Sequence, residues 1–116
     1  MERDPRSYLW DVQAAAEDIQ SFIKGVDLDG YAENSMLHSA VERKLEIIGE
    51  ALNQLSKTAP DLASRIPDLP AIVAFRNLLI HGYAIVDHRR VWGTLNESLP
   101  SLRITVTALL EELGPP

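Results

Sequence analysis

The sequence predicts an all-α fold: an antiparallel bundle of four main helices plus a short extra helix, in a single domain over residues 1–116. Apolar residues recur at steps of three and four along most of the chain, which is typical of amphipathic helices. Glycines and prolines separate these periodic stretches, and no stretch shows the two-residue alternation of a half-buried strand. A chain of 116 residues is long enough for one hydrophobic core.

The first helix is predicted to begin at Asp4-Pro5, because aspartate caps helix N-termini and proline suits the first turn. Its core-facing positions step by three and four residues and are Leu9, Val12, Ala16, Ile19 and Ile23. Gly25 ends this helix, and a loop is expected over residues 26–31.

The second helix is predicted to start at Asn34 or Ser35, either of which can cap it. It carries two adjacent apolar stripes and is therefore expected to be buried on two sides. Gly49 costs about 1 kcal/mol relative to alanine inside a helix, so we expect a neighbouring helix to approach closely there. Glu50 is interpreted mainly as part of a solvated face of ion-pairing side chains, with a further role beside Gly49 as the less favoured alternative.

Prolines and an aspartate mark the remaining helices. Pro60 opens a short helical turn, and Pro70 starts a third main helix that is expected to stop around Gly82. Asp87 is predicted to cap the fourth. Its apolar seam stays in phase across Pro100, which predicts one long kinked helix or two segments meeting near Glu97.

Composition limits the function classes. Without cysteine, the chain has no disulfides, thiolate chemistry or zinc–cysteine site. No apolar run is long enough for a membrane span, and we expect a cytoplasmic protein with no membrane partner. The net charge of −6 argues against a broad nucleic-acid-coating surface, although a local basic patch is compatible with it.

Residues 75–83 place polar groups on an otherwise apolar helix end. On a helical wheel Arg76 and Tyr83 fall inside the apolar arc, whereas Asn77 and His81 fall outside it. A guanidinium facing apolar surroundings costs about several kcal/mol unless an anion binds it, so Arg76 is expected to face a groove or an interface. Arg76 and His81 lie about 140° apart on an ideal helix. They could meet if the helix ends near Ile80, if a second chain supplies its own motif, or both.

The spacing Arg76-x-x-x-x-His81-x-Tyr83, with Asn77 after the arginine, resembles the signature of the HEPN superfamily and, within it, of the HepT-like ribonuclease toxins. The flanking blocks are similar too and extend the resemblance over nearly the whole chain: Leu45 to Ala51, Ile66-Pro67-Asp68, Val86-Asp87, Val91-Trp92 and Leu99-Pro100.

The resemblance implies the toxin of a type VII-like HEPN/nucleotidyltransferase toxin–antitoxin pair. It implies a homodimer whose motifs face each other and cleave RNA, tRNA or mRNA, without a metal or another cofactor. Arg76 and His81 are the implied catalytic residues, and Tyr83 is the implied acceptor of AMP from an MntA-type minimal nucleotidyltransferase. The chain departs from the family at His88-Arg89-Arg90, where acidic or aliphatic residues are usual, and these three become candidate contacts to RNA phosphates.

The residue chemistry fits that role. His81 can act as a general acid or base, Arg76 can grip a phosphate in a bidentate manner, and Asn77 can orient the substrate or His81. The alternative is a non-catalytic helical binding partner of a minimal nucleotidyltransferase, for which the motif is only a docking and modification surface. His38 and Glu42 are interpreted as a helical pair and not a metal site, because no third ligand stands at a recognisable spacing.

Overall fold

A computed structural model describes residues 3–81 and 86–115. Within them the chain forms six helices and no strand, so the all-α prediction is confirmed. Four helices are long and two are short, where one short helix was predicted: α1 (Pro5–Phe22), α2 (Leu28–Glu33), α3 (Ser35–Thr58), α4 (Pro60–Ala63), α5 (Leu69–His81) and α6 (His88–Leu113).

Helix α3 is the centre of the bundle. It packs against α1, α2, α4 and α5, while α6 packs against α1 and α2. Aliphatic side chains from α1, α3 and α6 meet in the core, and burying each contributes roughly 1.5–3 kcal/mol. The most completely buried of them are Leu9, Val12, Ile19, Val41, Ile48, Leu52, Leu55, Val91, Leu95 and Val106. The two-sided burial predicted for α3 follows from this central position.

Side-chain caps fix the helix starts, as the sequence predicts. Asp4 accepts a hydrogen bond from the Arg6 amide at the start of α1. Of the two candidates for α3, Asn34 is the cap, since its Oδ1 accepts from the Leu37 amide at 3.0 Å. Asp87 caps α6.

The expected loop over residues 26–31 is wrong, because most of it belongs to α2. Asp27 caps this helix by accepting from the Gly30 amide at 2.8 Å, and the fully buried Tyr31 anchors it to the core. Six residues are too few to show a helical period in the sequence, which is why the pattern missed it.

Helix α6 is one continuous helix that includes Pro100, so the single-helix alternative is correct. Gly114 follows it with φ = 76°, a left-handed conformation that glycine adopts without strain. Across the part of the chain that the structure describes, no helix combines the length and the apolar character needed to cross a bilayer.

Candidate functional site: a groove beside Arg76

Helix α5 lies so close to α3 that Arg76 rests directly on Gly49. A methyl group at position 49 would stand 2.6 Å from Arg76 Cγ, closer still to its Cβ, and 3.6 Å from its Cα. Only glycine leaves room for the arginine stem, and the predicted close approach at Gly49 is confirmed.

Two neighbours hold the Arg76 guanidinium. Its Nη2 pairs with Glu50 Oε2, and its Nη1 donates to Asn77 Oδ1 at 2.7 Å. Its Nε is shielded from solvent and has no hydrogen-bond partner among residues 3–81 and 86–115. The expectation that Arg76 faces an anion is met within the chain by Glu50. The less favoured alternative for Glu50, a role beyond the solvated face, is therefore confirmed, because Glu50 is the partner of the motif arginine.

Arg76 and Glu50 line a groove of about 520 Å³ between α1, α3 and α5. Two further ion pairs border it: Arg3 with Asp11 at 3.0 Å, and Arg43 with Glu46 at 3.4 Å. Three arginines thus face three carboxylates, and the formal charges of the groove lining cancel. A bound phosphate would have to compete with a carboxylate for each guanidinium.

The motif histidine points elsewhere. Helix α5 is helical through His81, so His81 keeps the helical geometry from which a helix end was expected to free it. His81 is exposed and is not among the residues lining the groove, although Ile80 is. One chain therefore does not bring Arg76 and His81 together around a common point. Tyr83, with Gly82 before it, lies outside the described residues.

The basic run after the motif also lies away from the groove. His88 turns toward α3, where its ring stacks on that of His38 with centroids 3.7 Å apart. Arg89 pairs with Asp29 at 3.1 Å. Arg90 is exposed and lines a separate groove between α5 and α6. The assignment of these three residues to RNA phosphates stays a prediction.

Contacts of His88 with α3 correct the interpretation of His38 and Glu42 as an isolated pair. His88 is the third member that sequence spacing did not supply, because it comes from a helix far along the chain. The Tyr31 phenol lies in the same region. Burial raises the pKa of Tyr31, and the charge of Glu42 adds to the increase.

The helical bundle and the Arg76–His81 spacing on α5 define an HEPN-type domain. The sequence profile described as "Ribonuclease HepT-like" matches residues 12–109. The chain belongs to the HepT-like family.

Curated relatives cover most of the chain. A Methanocaldococcus jannaschii protein provisionally named an RNase is 34% identical over 103 residues, covering 87% of this chain and 92% of that protein. The Thermococcus cleftensis protein named "Probable ribonuclease HepT" is 37% identical over 106 residues, covering 89% and 93% respectively. A Caldanaerobacter subterraneus protein, also provisionally named an RNase, is 32% identical over 110 residues, covering 95% and 97%. No solved structure matches the chain significantly.

Proposed function

We propose that this protein is a metal-independent endoribonuclease, the toxin of an HEPN/nucleotidyltransferase toxin–antitoxin pair. One observation carries the proposal: a motif arginine is fixed by Gly49, Glu50 and Asn77 at the edge of a groove. The alkyl packing and the two polar contacts pre-orient a bidentate donor for a phosphate. Membership of the HepT-like family supports RNA as the substrate.

Cleavage uses the RNA's own 2′-hydroxyl. A base takes the 2′-proton as that oxygen attacks the adjacent phosphorus, and an acid gives a proton to the departing 5′-oxygen. The products are a 2′,3′-cyclic phosphate and a 5′-hydroxyl. Arg76 stabilises the charge on the pentacoordinate phosphorus, while His81 supplies base and acid because an imidazole can both accept and donate a proton.

The reaction needs two chains. His81 is exposed at the end of α5, on a different side of the helix from Arg76, so the histidine that completes the site around one Arg76 comes from a second copy. A homodimer with facing motifs supplies two histidines, one as base and one as acid. Asn77 is exposed and bonded to Arg76, which supports a role for it in orienting the scissile phosphate.

Tyr83 is the proposed control point. An MntA-type nucleotidyltransferase transfers AMP from ATP to the Tyr83 oxygen with release of pyrophosphate, which adds a phosphate and a bulky nucleoside next to the motif. Like charge and steric block then exclude RNA. Intact-mass measurement after co-expression with the nucleotidyltransferase should show one AMP per chain, and none on Tyr83→Phe. An adduct that persists on Tyr83→Phe would place the acceptor elsewhere.

A second candidate is a non-catalytic binding partner of the nucleotidyltransferase. The observation in its favour is the charge balance of the groove, together with a net charge of −6, neither of which attracts a polyanion. Catalysis separates the two candidates.

The deciding experiment is cleavage of total tRNA and messenger RNA in EDTA by wild-type protein beside His81→Ala purified identically. We expect cleavage by the wild type and its loss in the variant, which also controls for contaminating nuclease. Equal cleavage by both would remove His81 from the mechanism. No cleavage by folded wild type of unmodified mass would support the docking role.

A further inference from the structure

A cluster of two histidines and one glutamate, side chains that can ligate a metal ion, joins α3 to the first residue of α6. His38 and Glu42 stand one turn apart on α3, and His88 begins α6. His38 Nδ1 lies 3.3 Å from Glu42 Oε2, and His88 Nδ1 lies 3.5 Å from the same oxygen. One ligand atom from each residue falls within 4.8 Å of the other two.

These three atoms are shielded from solvent, and none has a hydrogen-bond partner in the described part of the chain. Both nitrogen–oxygen distances exceed the range of about 2.7–3.2 Å in which N–H···O hydrogen bonds are normally made. Leaving a buried polar atom without a hydrogen-bond partner is unfavourable, so three such atoms converging on one point indicate a binding site.

We propose that His38, Glu42 and His88 bind a divalent transition-metal ion, with zinc as the preferred ion. Zinc takes imidazole nitrogen and carboxylate oxygen at about 2.0–2.2 Å, and in tetrahedral geometry its ligands lie about 3.3–3.6 Å apart. Both observed separations from Glu42 fall in that range. Two imidazoles and one carboxylate are ligands that zinc, cobalt and nickel accept and that calcium and magnesium do not favour.

Ion binding requires a small side-chain adjustment. The rings of His38 and His88 are stacked, with their planes 19° apart, and must fan open to aim both Nδ1 lone pairs at one ion. The second side-chain torsion of histidine is broad, and the His88 side chain is 31% exposed, so its ring has room to turn. A water molecule completes the coordination.

The ion would have a structural role and not a catalytic one. None of its three ligands lines the groove beside Arg76, so the ion takes no part in the metal-independent cleavage proposed above. His88 follows His81 by seven positions in the sequence, and fixing it to α3 holds the start of α6 in place. The proposed RNA cleavage in EDTA and the proposed metal site can therefore be tested independently, and failure of one does not affect the other.

The test is titration of EDTA-stripped protein with Zn²⁺ and, for its visible d–d bands, with Co²⁺. We expect one ion per chain and a rise in Tm of about 10 °C when free Zn²⁺ reaches 100 times Kd. Glu42→Gln and His88→Gln should each weaken binding by at least about 100-fold, more than the loss of a second-shell partner. His81→Gln is the matched control and should bind as the wild type does.

A second measurement needs no variant. The chain has three histidines, and in imidazole ¹H–¹⁵N spectra of the wild type Zn²⁺ should shift two of them and leave one unchanged. No binding of either ion at micromolar concentration overturns the proposal, and so does binding that survives in both ligand variants. A response of all three histidines, or of one, also overturns it. If the ligand variants fail to fold, the imidazole spectra decide alone.

Discussion

Arg76 occupies the space that a side chain at Gly49 would fill, so the position of the motif arginine depends on a glycine in another helix. The absence of a side chain on α3 lets the stem of Arg76 lie flat, and the next residue of α3, Glu50, then meets the guanidinium. The pair Gly49-Glu50 thus both admits the arginine and orients it.

Gly49→Ala should destabilise the protein although alanine is the better helix former. The added methyl overlaps Arg76 and forces α5 away from α3, which costs about 1–3 kcal/mol as overpacking and outweighs a propensity gain of about 1 kcal/mol. Gly93→Ala is the matched control, because a methyl at that position of α6 has no neighbour within 4 Å. It should raise stability by about 0.5–1 kcal/mol. Urea denaturation of both variants tests this, and equal shifts would contradict it.

Arg76→Lys should lower kcat for RNA cleavage by about 10²–10³-fold, the usual effect of losing an oriented charge donor. Lysine keeps the positive charge but lacks the planar fork that reaches Glu50 and Asn77 together. Single-turnover cleavage, with circular dichroism to confirm folding, is the measurement. Activity within about tenfold of wild type would show that charge alone is sufficient.

Glu50→Gln should tighten RNA binding by about threefold to tenfold, because it removes a carboxylate that competes with phosphate for Arg76. The comparison is made by fluorescence anisotropy in a His81→Ala background, so that the RNA stays intact. Weaker binding in the glutamine variant would instead mean that Glu50 is needed to position the guanidinium.

Arg90→Ala should reduce the salt dependence of RNA binding, lowering the slope of log K against log salt by about 0.7 if one single-strand phosphate contact is lost. Arg90 is exposed, whereas Arg89 already pairs with Asp29. Arg89→Ala is therefore the matched control and should change the slope less. Identical slopes for all three proteins would remove the basic run from the RNA interface.

Acid stability should depend on Asp4. Hydrogen bonds from the Arg6 side chain and then its backbone amide lower the pKa of Asp4 from 3.8 to about 2. Because the folded state holds the lower pKa, this contribution to stability is present above pH 3.8 and is lost as pH falls through about 2. Asp4→Asn keeps the helix cap without the charge, so its stability should approach that of the wild type as pH falls. Denaturation curves that stay equally far apart at every pH would contradict this.

The sequence was sufficient to predict the helices that carry a long apolar period and a capping residue. Asn34, Asp87 and the seam through Pro100 are examples, because local chemistry determines each of them. Helix α2 was missed because its six residues depend on burying Tyr31 against other helices, which is a tertiary effect.

For the site residues too, features set by local sequence could be predicted, and features set by helix packing could not. The close approach at Gly49 could be predicted from the cost of a mid-helix glycine, but which residue approaches could not. Glu50 meets Arg76, and His88 meets residues of α3, because of the way α5 and α6 pack. Spacing along the sequence does not predict these contacts.

Pro100 divides α6 into two segments with different neighbours. Proline lacks the amide hydrogen that would bond to the Asn96 carbonyl, so one backbone hydrogen bond is missing in the middle of the helix. Before the proline Trp92 lies against Tyr31 of α2, and after it Arg103 bonds to Gln20 of α1. We therefore expect the first segment of α6 to exchange its amide hydrogens without opening of the second. An ion bound at His88 would then be recorded in native-state hydrogen exchange as slower exchange confined to that first segment.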